Sequence, residues 1–207
     1  PSISGDNLDM YFTSERAGLG EDCCIFVSHR PSDMDDWGVP APIRLEKGPN
    51  QVFWEPSVSP DGLELYFAVA LFDSTDPDAY TVDDNDLYVV TRPDLRSPWS
   101  APIQLGPQIN SDFAEIGPSV SPDGLSFYFT SCRDGGWGGG CDIWVSRRSA
   151  TTESWEEAVK LDGPVNTPDS VERGAALSFD GNELYFQRVA TNGQGGLENT
   201  LWNTSGI

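Results

Sequence analysis

The chain has 207 residues, 38% of them hydrophobic and 11% aromatic, with a mean hydropathy of −0.38. This composition is typical of a globular domain, and no apolar run approaches the roughly 20 residues that span a bilayer. Twelve lysines and arginines face 33 aspartates and glutamates, and the resulting net charge of −21 would repel a phosphate backbone. We therefore expect neither a nucleic-acid partner nor membrane insertion.

One twelve-residue motif occurs four times along the chain. Its copies are PSISGDNLDMYF from Pro1, PSVSPDGLELYF from Pro56, PSVSPDGLSFYF from Pro118 and AALSFDGNELYF from Ala175. Aligned on their second serine, the copies are 55, 62 and 57 residues apart. Self-similarity at such a period indicates a repeat architecture, in which each copy is one supersecondary unit.

Each copy of the motif predicts two short strands joined by a tight turn. Pro60 and Pro122 preset φ at the first turn position, while Gly62 and Gly124 supply the positive φ that the turn needs. An aspartate recurs in every turn, where its side chain can accept amide hydrogens, so we interpret it as structural. These aspartates are Asp6, Asp61, Asp123 and Asp180.

Further strands follow each motif. The segments predicted as the third strand of each unit are CIFVSHR, DLYVVTR, DIWVSRR and, less clearly, NTLWNTS. In the first three units a fourth strand begins after Trp37, Trp99 or Trp155, and we expect these tryptophans to pack between neighbouring sheets. Four strands in such a meander form one blade of a β-propeller. The sequence thus predicts an all-β β-propeller of about four blades of four-stranded antiparallel meanders, with the last blade incomplete.

The predicted organisation is a single propeller domain over residues 1–207, with repeats at approximately 1–55, 56–117, 118–174 and 175–207. We favour a four-bladed ring with an incomplete closing blade. A part of a larger ring is the alternative.

The motif and its flanking strands resemble the TolB-type, WD-like β-propeller repeats. The resemblance rests on the S-x-D-G-x-x-(L/F)-Y-F core, the D-(L/I)-(Y/W)-V strand and the W-x-x-A-x-x-L segment, and it covers essentially the whole chain. The periods exceed those of TolB itself, and the first copy has GDN in place of PDG. The resemblance implies an envelope or secreted protein that serves as a binding scaffold, or in some cases as an enzyme.

Two of the four cysteines are placed for a disulfide. Cys132 and Cys141 flank the loop RDGGWGGG at the feet of two predicted strands, whereas Cys23 and Cys24 are adjacent and can form a vicinal bridge, pair elsewhere or stay free. Disulfides persist in oxidising compartments, so we expect a secreted or periplasmic protein.

Three glutamates and one tryptophan are candidate ligand-binding residues. Glu115 and Glu172 each lie three residues before an innermost strand, and Glu55 lies one residue before the corresponding strand. Carboxylates that converge on a propeller axis can hold a hard cation such as calcium or, in pairs, act on a glycosidic bond; the alternative is a structural hydrogen-bonding role. Trp137, in the glycine-rich loop, can stack on a sugar ring or a partner side chain, the alternative being a tryptophan that folds back onto its own blade.

The loop from Phe72 to Asp86 is a candidate metal site. It is rich in aspartates but lacks the glycine and closing glutamate of an EF-hand, so it predicts at most a loose calcium site, the alternative being a solvated acidic loop. The candidate ligands are Asp76, Asp78, Asp83 and Asp84.

No catalytic residue is assigned. His29 is the only histidine, and nothing marks a nucleophilic serine. The leading hypothesis is a non-catalytic binding propeller that presents loops to a protein or glycan partner in the envelope or outside the cell. The alternatives are a glycan-active hydrolase or lyase that uses axial carboxylates, and a fragment of a larger propeller protein.

Overall fold

The computed structural model describes residues 1–14, 25–71, 85–134, 140–191 and 197–205. This part of the chain contains fifteen β-strands arranged in four sheets. The described residues form no helix, so no helix among them has the length and apolarity that crossing a bilayer requires.

The sheets follow one another along the chain. The first contains β1 (Ser2–Ile3), β2 (Asp9–Thr13), β3 (Ile25–His29) and β4 (Ala41–Pro42). The second contains β5 (Gln51–Val58), β6 (Glu64–Leu71), β7 (Asp86–Thr91) and β8 (Ile103–Gln104). The third contains β9 (Glu115–Val120), β10 (Ser126–Ser131), β11 (Asp142–Arg147) and β12 (Val159–Lys160). The fourth contains β13 (Ser170–Leu177), β14 (Glu183–Thr191) and β15 (Leu197–Ser205).

Within each sheet the strands pair antiparallel in chain order, which makes every sheet a meander. The predicted all-β propeller with four blades and a three-stranded last blade is therefore confirmed. The second, third and fourth innermost strands begin at Gln51, Glu115 and Ser170, a few residues before the predicted repeat boundaries.

The turn between the first two strands of each sheet is built by a serine and an aspartate. In the third sheet, Ser121 Oγ donates to Asp123 Oδ1 over 2.5 Å and accepts from the amide of Ser126 over 2.8 Å. Asp123 Oδ1 also accepts from the amide of Leu125. The same hydrogen bonds occur in the other three turns, so the motif aspartates are structural.

A β-bulge interrupts the innermost strand of the second, third and fourth sheets. The pairing register shifts at each bulge, and the bulged residue has a positive φ: 50° at Glu55, 60° at Gly117 and 66° at Gly174. A bulge bends its strand and re-aims the side chains beside it. All three bulged residues line one cavity that the innermost strands share.

Neighbouring sheets pack face to face through apolar side chains. The motif tyrosine of one sheet packs against the next sheet, as Tyr66 does against Phe127 at a ring-centroid distance of 4.8 Å. Trp155 joins this cluster and Trp99 packs against the cluster between the first and second sheets, as predicted. Trp37 belongs to none of the clusters formed by the described residues. Contacts link the first sheet to the second, the second to the third and the third to the fourth, but no described strand of the first sheet contacts the fourth. The described chain is therefore an open array of four blades.

Candidate functional site

The innermost strands of all four sheets face one shared cavity of about 1130 Å³. Ligand pockets in proteins commonly enclose about 300–1,000 Å³, so this space is large enough for an oligosaccharide-sized ligand. Its wall consists mostly of backbone, prolines, serines and small apolar side chains contributed by each blade. We call this space the axial cavity.

Serine hydroxyls on the wall of the axial cavity tie one innermost strand to the next. Ser2 Oγ accepts from the amide of Val58 over 3.0 Å, and Ser57 Oγ accepts from the amide of Val120 over 3.1 Å. A hydroxyl that accepts one hydrogen bond retains its own proton as a donor. The wall can therefore both donate to and accept from a polar ligand.

Glu55 supplies the one ionisable side chain among the described residues that line the axial cavity. It is exposed, and its φ of 50° is in the left-handed region, where a residue with a Cβ is disfavoured by about 1–2 kcal/mol. Gly117 and Gly174 occupy the same position in the next two sheets. A glutamate here thus occupies a backbone position that suits glycine, which marks Glu55 as the leading candidate for function.

The hydrogen bonds of Glu55 show how the second sheet accommodates it. Its amide donates to Thr13 Oγ1 of the first sheet over 2.9 Å, and the amide of Gly174 donates in the same way to Thr130 Oγ1 over 3.2 Å. The second sheet has Ala68 at the corresponding position, without a hydroxyl. Glu55 Oε2 replaces that acceptor by receiving the amide of Gly117 over 2.8 Å.

Glu115 and Glu172 lie away from the axial cavity. Both are fully buried, and neither is among the residues that line the cavity. Glu115 accepts hydrogen bonds from the amide and hydroxyl of Ser111 and from Ser131 Oγ, and Arg133 approaches within 3.4 Å. Of the three candidate glutamates only Glu55 lines the axial cavity, whereas Glu115 and Glu172 make the structural hydrogen bonds that were the alternative.

Glu172 has the same environment in the fourth sheet. Its Oε1 accepts from Thr167 Oγ1 and from Arg188 Nε, both over 2.8 Å, while its Oε2 has no hydrogen-bond partner among the described residues. A buried carboxylate paired with an arginine and a hydroxyl holds the preceding loop against its sheet. The geometry assigns Glu115 and Glu172 this bracing role.

The predicted disulfide between Cys132 and Cys141 is present, with the two Cα atoms 4.1 Å apart. Both cysteines are buried in a small cluster with Ala114 and Val171, the residues that precede Glu115 and Glu172. The disulfide thus supports the segments that carry the two buried glutamates.

Several candidate residues lie outside the described part of the chain: Trp137, Asp76, Asp78, Asp83, Asp84, Cys23 and Cys24. Among the described residues, no group of three or more histidine, cysteine, aspartate or glutamate side chains is arranged to hold a metal ion. The calcium site at the acidic loop stays a prediction.

An arginine that stacks on the recurring tryptophan is the structural feature that sequence reasoning missed. The guanidinium carbon lies 4.4 Å from the ring centroid in the Arg30–Trp37 pair, 4.2 Å in Arg92–Trp99 and 4.1 Å in Arg148–Trp155. The spacing of seven residues in each pair was the available signal. The unusual position of Glu55 also had a signal in the sequence. Aligning EPSVSPDG with GPSVSPDG places Glu55 opposite Gly117.

Comparison with known proteins gives the fold but no family. The chain matches no family model and no curated protein. Solved structures similar to it include the Hadza microbial sialidase Hz136, with a TM-score of 0.57, 14% identity, and coverage of 98% of this chain and 43% of the sialidase. A Trypanosoma rangeli sialidase in complex with the inhibitor DANA has a TM-score of 0.58 and 14% identity, and the match covers 99% of this chain and 36% of the sialidase.

A third similar structure is Bacteroides ovatus Xyloglucan PUL GH43B, with a TM-score of 0.52, 19% identity, and coverage of 99% of this chain and 38% of that one. This chain therefore spans well under half the length of these three proteins. Identities this low establish a shared propeller architecture and nothing finer. The TolB-type resemblance stays a prediction.

Proposed function

We propose that the axial cavity binds a glycan without negative charge, and that Glu55 is its principal polar contact. The observation that carries the proposal is a cavity shared by four innermost strands, whose one described ionisable lining residue is a carboxylate in a glycine-type conformation. A carboxylate accepts hydrogen bonds from two hydroxyls at once, which suits a vicinal diol of a sugar.

The negative charge of the cavity and of the whole chain disfavours acidic glycans as ligands. The described lining contains no lysine or arginine, and the whole chain has a net charge of −21. An acidic sugar such as sialic acid would meet a like charge at Glu55, and the described lining offers no lysine or arginine side chain to offset it. Neutral or cationic saccharides are therefore the expected ligands, even though two of the similar structures are sialidases.

A further similar structure, a thermostable family-43 glycoside hydrolase with a TM-score of 0.54 and 14% identity, supports a second candidate, a glycan-active hydrolase. Glycoside hydrolysis generally uses two carboxylates that flank the scissile bond. The described cavity wall offers only Glu55, so a second carboxylate would have to come from outside it. Binding without turnover is the function that the described geometry supports best.

The proposed compartment is extracytoplasmic. The buried Cys132–Cys141 disulfide supports this, because such bonds persist chiefly in oxidising compartments.

A glycan array followed by calorimetry tests the proposal, with neutral xyloglucan oligosaccharides, chitosan oligomers and sialylated glycans as probes. We expect neutral or cationic probes to bind, and Glu55→Gln to weaken binding about tenfold or more, since a hydrogen bond to a charged group contributes about 1.5–3 kcal/mol. Glu157→Gln removes the same charge from an exposed site outside the cavity and should leave binding unchanged.

Preference for sialylated glycans, or equal binding by both variants, would contradict the proposal. Release of reducing sugar separates the two candidates. A hydrolase would produce it, and Glu55→Gln would then abolish turnover.

A further inference from the structure

The interface between neighbouring sheets has two different sides. We call the side that carries the motif tyrosine the tyrosine face; it packs on the following sheet. We call the opposite side, which carries the stacked arginine and tryptophan, the arginine face; it packs on the preceding sheet. The interfaces between the first and second sheets and between the second and third sheets each join a tyrosine face to an arginine face. The third sheet packs its tyrosine face on the fourth sheet, whose described residues contain no equivalent Arg–Trp pair.

The interface between the second and third sheets shows the polar part of this contact. Tyr66 donates its hydroxyl to Glu64 Oε2 over 3.0 Å, and Trp155 Nε1 donates to the Tyr66 oxygen over 3.1 Å. Arg148, stacked on Trp155, donates to Glu64 Oε2 over 2.8 Å. A Glu–Tyr pair on one face therefore meets an Arg–Trp pair on the other.

The tyrosine face of the fourth sheet carries the same pair without a partner sheet. Tyr185 donates to Glu183 Oε2 over 2.7 Å, as Tyr66 does to Glu64. Tyr185 is 36% exposed, whereas the equivalent tyrosines of the other sheets are 1% to 4% exposed.

An aliphatic side chain on the third strand of the fourth sheet differs even more in its exposed fraction. Leu201 is 74% exposed, although its equivalents Ile25, Leu87 and Ile143 are at most 2% exposed. In the other three sheets this position is covered by the following sheet. The tyrosine face of the fourth sheet is therefore an uncovered half of an interface.

The arginine face of the first sheet is the complementary half. Arg30 stacks on Trp37, and its Nε donates to the carbonyl of Asn7, as Arg148 Nε does to Gly124. No carboxylate among the described residues lies within salt-bridge distance of Arg30.

The apolar part of this face is also uncovered. Ile3 is 50% exposed, against 5% for its equivalent Val58, and Met10 is half-buried where Leu65, Phe127 and Leu184 are fully buried. The first and fourth sheets thus carry uncovered counterparts of the two faces that meet between the second and third sheets.

We propose that these two ends dock on each other between copies of the chain, the tyrosine face of one copy on the arginine face of another. Arg30 then binds Glu183 and Trp37 packs on Tyr185, which repeats the contact made by Arg148 and Trp155. A second copy is the matching partner because Glu183 on one face and Arg30 on the other are complementary in charge. The described strands of the first and fourth sheets of one chain do not contact each other, so these two faces do not cover one another within the chain.

A head-to-tail contact of this kind closes into a ring where the rotation permits and otherwise continues as a filament. Two copies of four blades would give eight, at the upper end of the usual range for propellers, and would enclose the axial cavity on all sides.

Sedimentation velocity and light scattering of the purified chain provide the test. We expect a concentration-dependent species of twice the 22.6 kDa chain mass. Leu201→Asp on the tyrosine face and Arg30→Glu on the arginine face should each weaken this association at least tenfold. Val159→Asp, the same kind of change at an exposed position of the third sheet, should not.

Mixing the two variants makes the test specific for the head-to-tail geometry. The Leu201→Asp variant keeps an intact arginine face and the Arg30→Glu variant an intact tyrosine face, so a mixture should form a one-to-one complex. Because Leu201 is 74% exposed, its replacement removes little buried surface, and an unchanged melting temperature confirms that the variant folds.

A wild-type chain that stays monomeric at high micromolar concentration would overturn the proposal and leave both faces to further repeats of a longer polypeptide. Association that neither variant weakens would overturn it as well, since the contact would then use another surface.

Discussion

Glu55 and Glu115 occupy nearly the same place in successive repeats, yet their environments are opposite. Glu115 is fully buried and bound by two serines beside an arginine, whereas Glu55 is exposed on the wall of the axial cavity. The difference arises at the bulge, where Glu55 itself is the residue with positive φ and Gly117 takes that position in the third sheet. A carboxylate in a repeat therefore braces the fold or faces the axial cavity according to its position relative to the bulge.

Replacement of a buried glutamate should cause the largest loss of stability and so test the difference between Glu115 and Glu55 most strongly. Glu115→Ala leaves Arg133 in a largely buried site without its counter-charge, and Glu172→Ala does the same to Arg188. Breaking a buried ion pair from one side costs about 3–5 kcal/mol, so we expect each variant to lose that much free energy of unfolding. Urea denaturation measures the loss, with the exposed Glu157→Ala as control.

If Glu115→Ala and Glu172→Ala unfolded like the wild type but failed to bind glycan, the bracing role would be wrong. The carboxylates would then act at the ligand.

Removal of the disulfide should have the next largest effect. A bridge between Cys132 and Cys141 closes a short loop, and its loss from the double serine variant should lower the free energy of unfolding by about 2–3 kcal/mol. Because the bridge lies beside Ala114 and Val171, reduction should loosen the buried glutamates more than Glu55. Amide hydrogen exchange at Glu115 and Glu172, with and without reductant, checks this; faster exchange at Glu55 alone would contradict it.

Glu55→Gly should separate stability from function. The substitution relieves a left-handed conformation that costs about 1–2 kcal/mol and loses the hydrogen bond to the Gly117 amide, worth about 1 kcal/mol. We expect the free energy of unfolding to change by less than about 1 kcal/mol while glycan binding is lost. A large loss of stability would instead make Glu55 a bracing residue like Glu115.

The smallest effect concerns the turn aspartates, which are structural carboxylates at the surface. The hydrogen bond from Ser178 lowers the pKa of Asp180 to about 2, from 3.8. The ionised form therefore stabilises the folded state above about pH 4, and this contribution is lost as the pH falls towards 2. In Ser178→Ala, the carboxyl titration followed by NMR should shift upward towards 3.8. An unchanged midpoint would show that the serine is not the cause.

Much of this protein could be predicted from local sequence. Four copies of a strand–turn–strand motif determined the blade count, because the proline, aspartate and glycine of each turn act within a few residues of one another. The Cys132–Cys141 disulfide followed from the same local reasoning, since the two cysteines flank a single loop.

Two features depended on tertiary structure: the direction of the glutamate side chains, and the exposure of the outer faces of the first and fourth sheets. The alternation of strand residues predicts side-chain direction only while the register is regular, and the bulge at Glu55 breaks it. Whether Tyr185 is buried like Tyr66 depends on a neighbouring sheet, which the strand's own sequence does not encode. The sequence alone thus determined the strands and turns of each blade. The bulges and the packing between blades decided which carboxylate lines the cavity and which sheet surfaces remain uncovered.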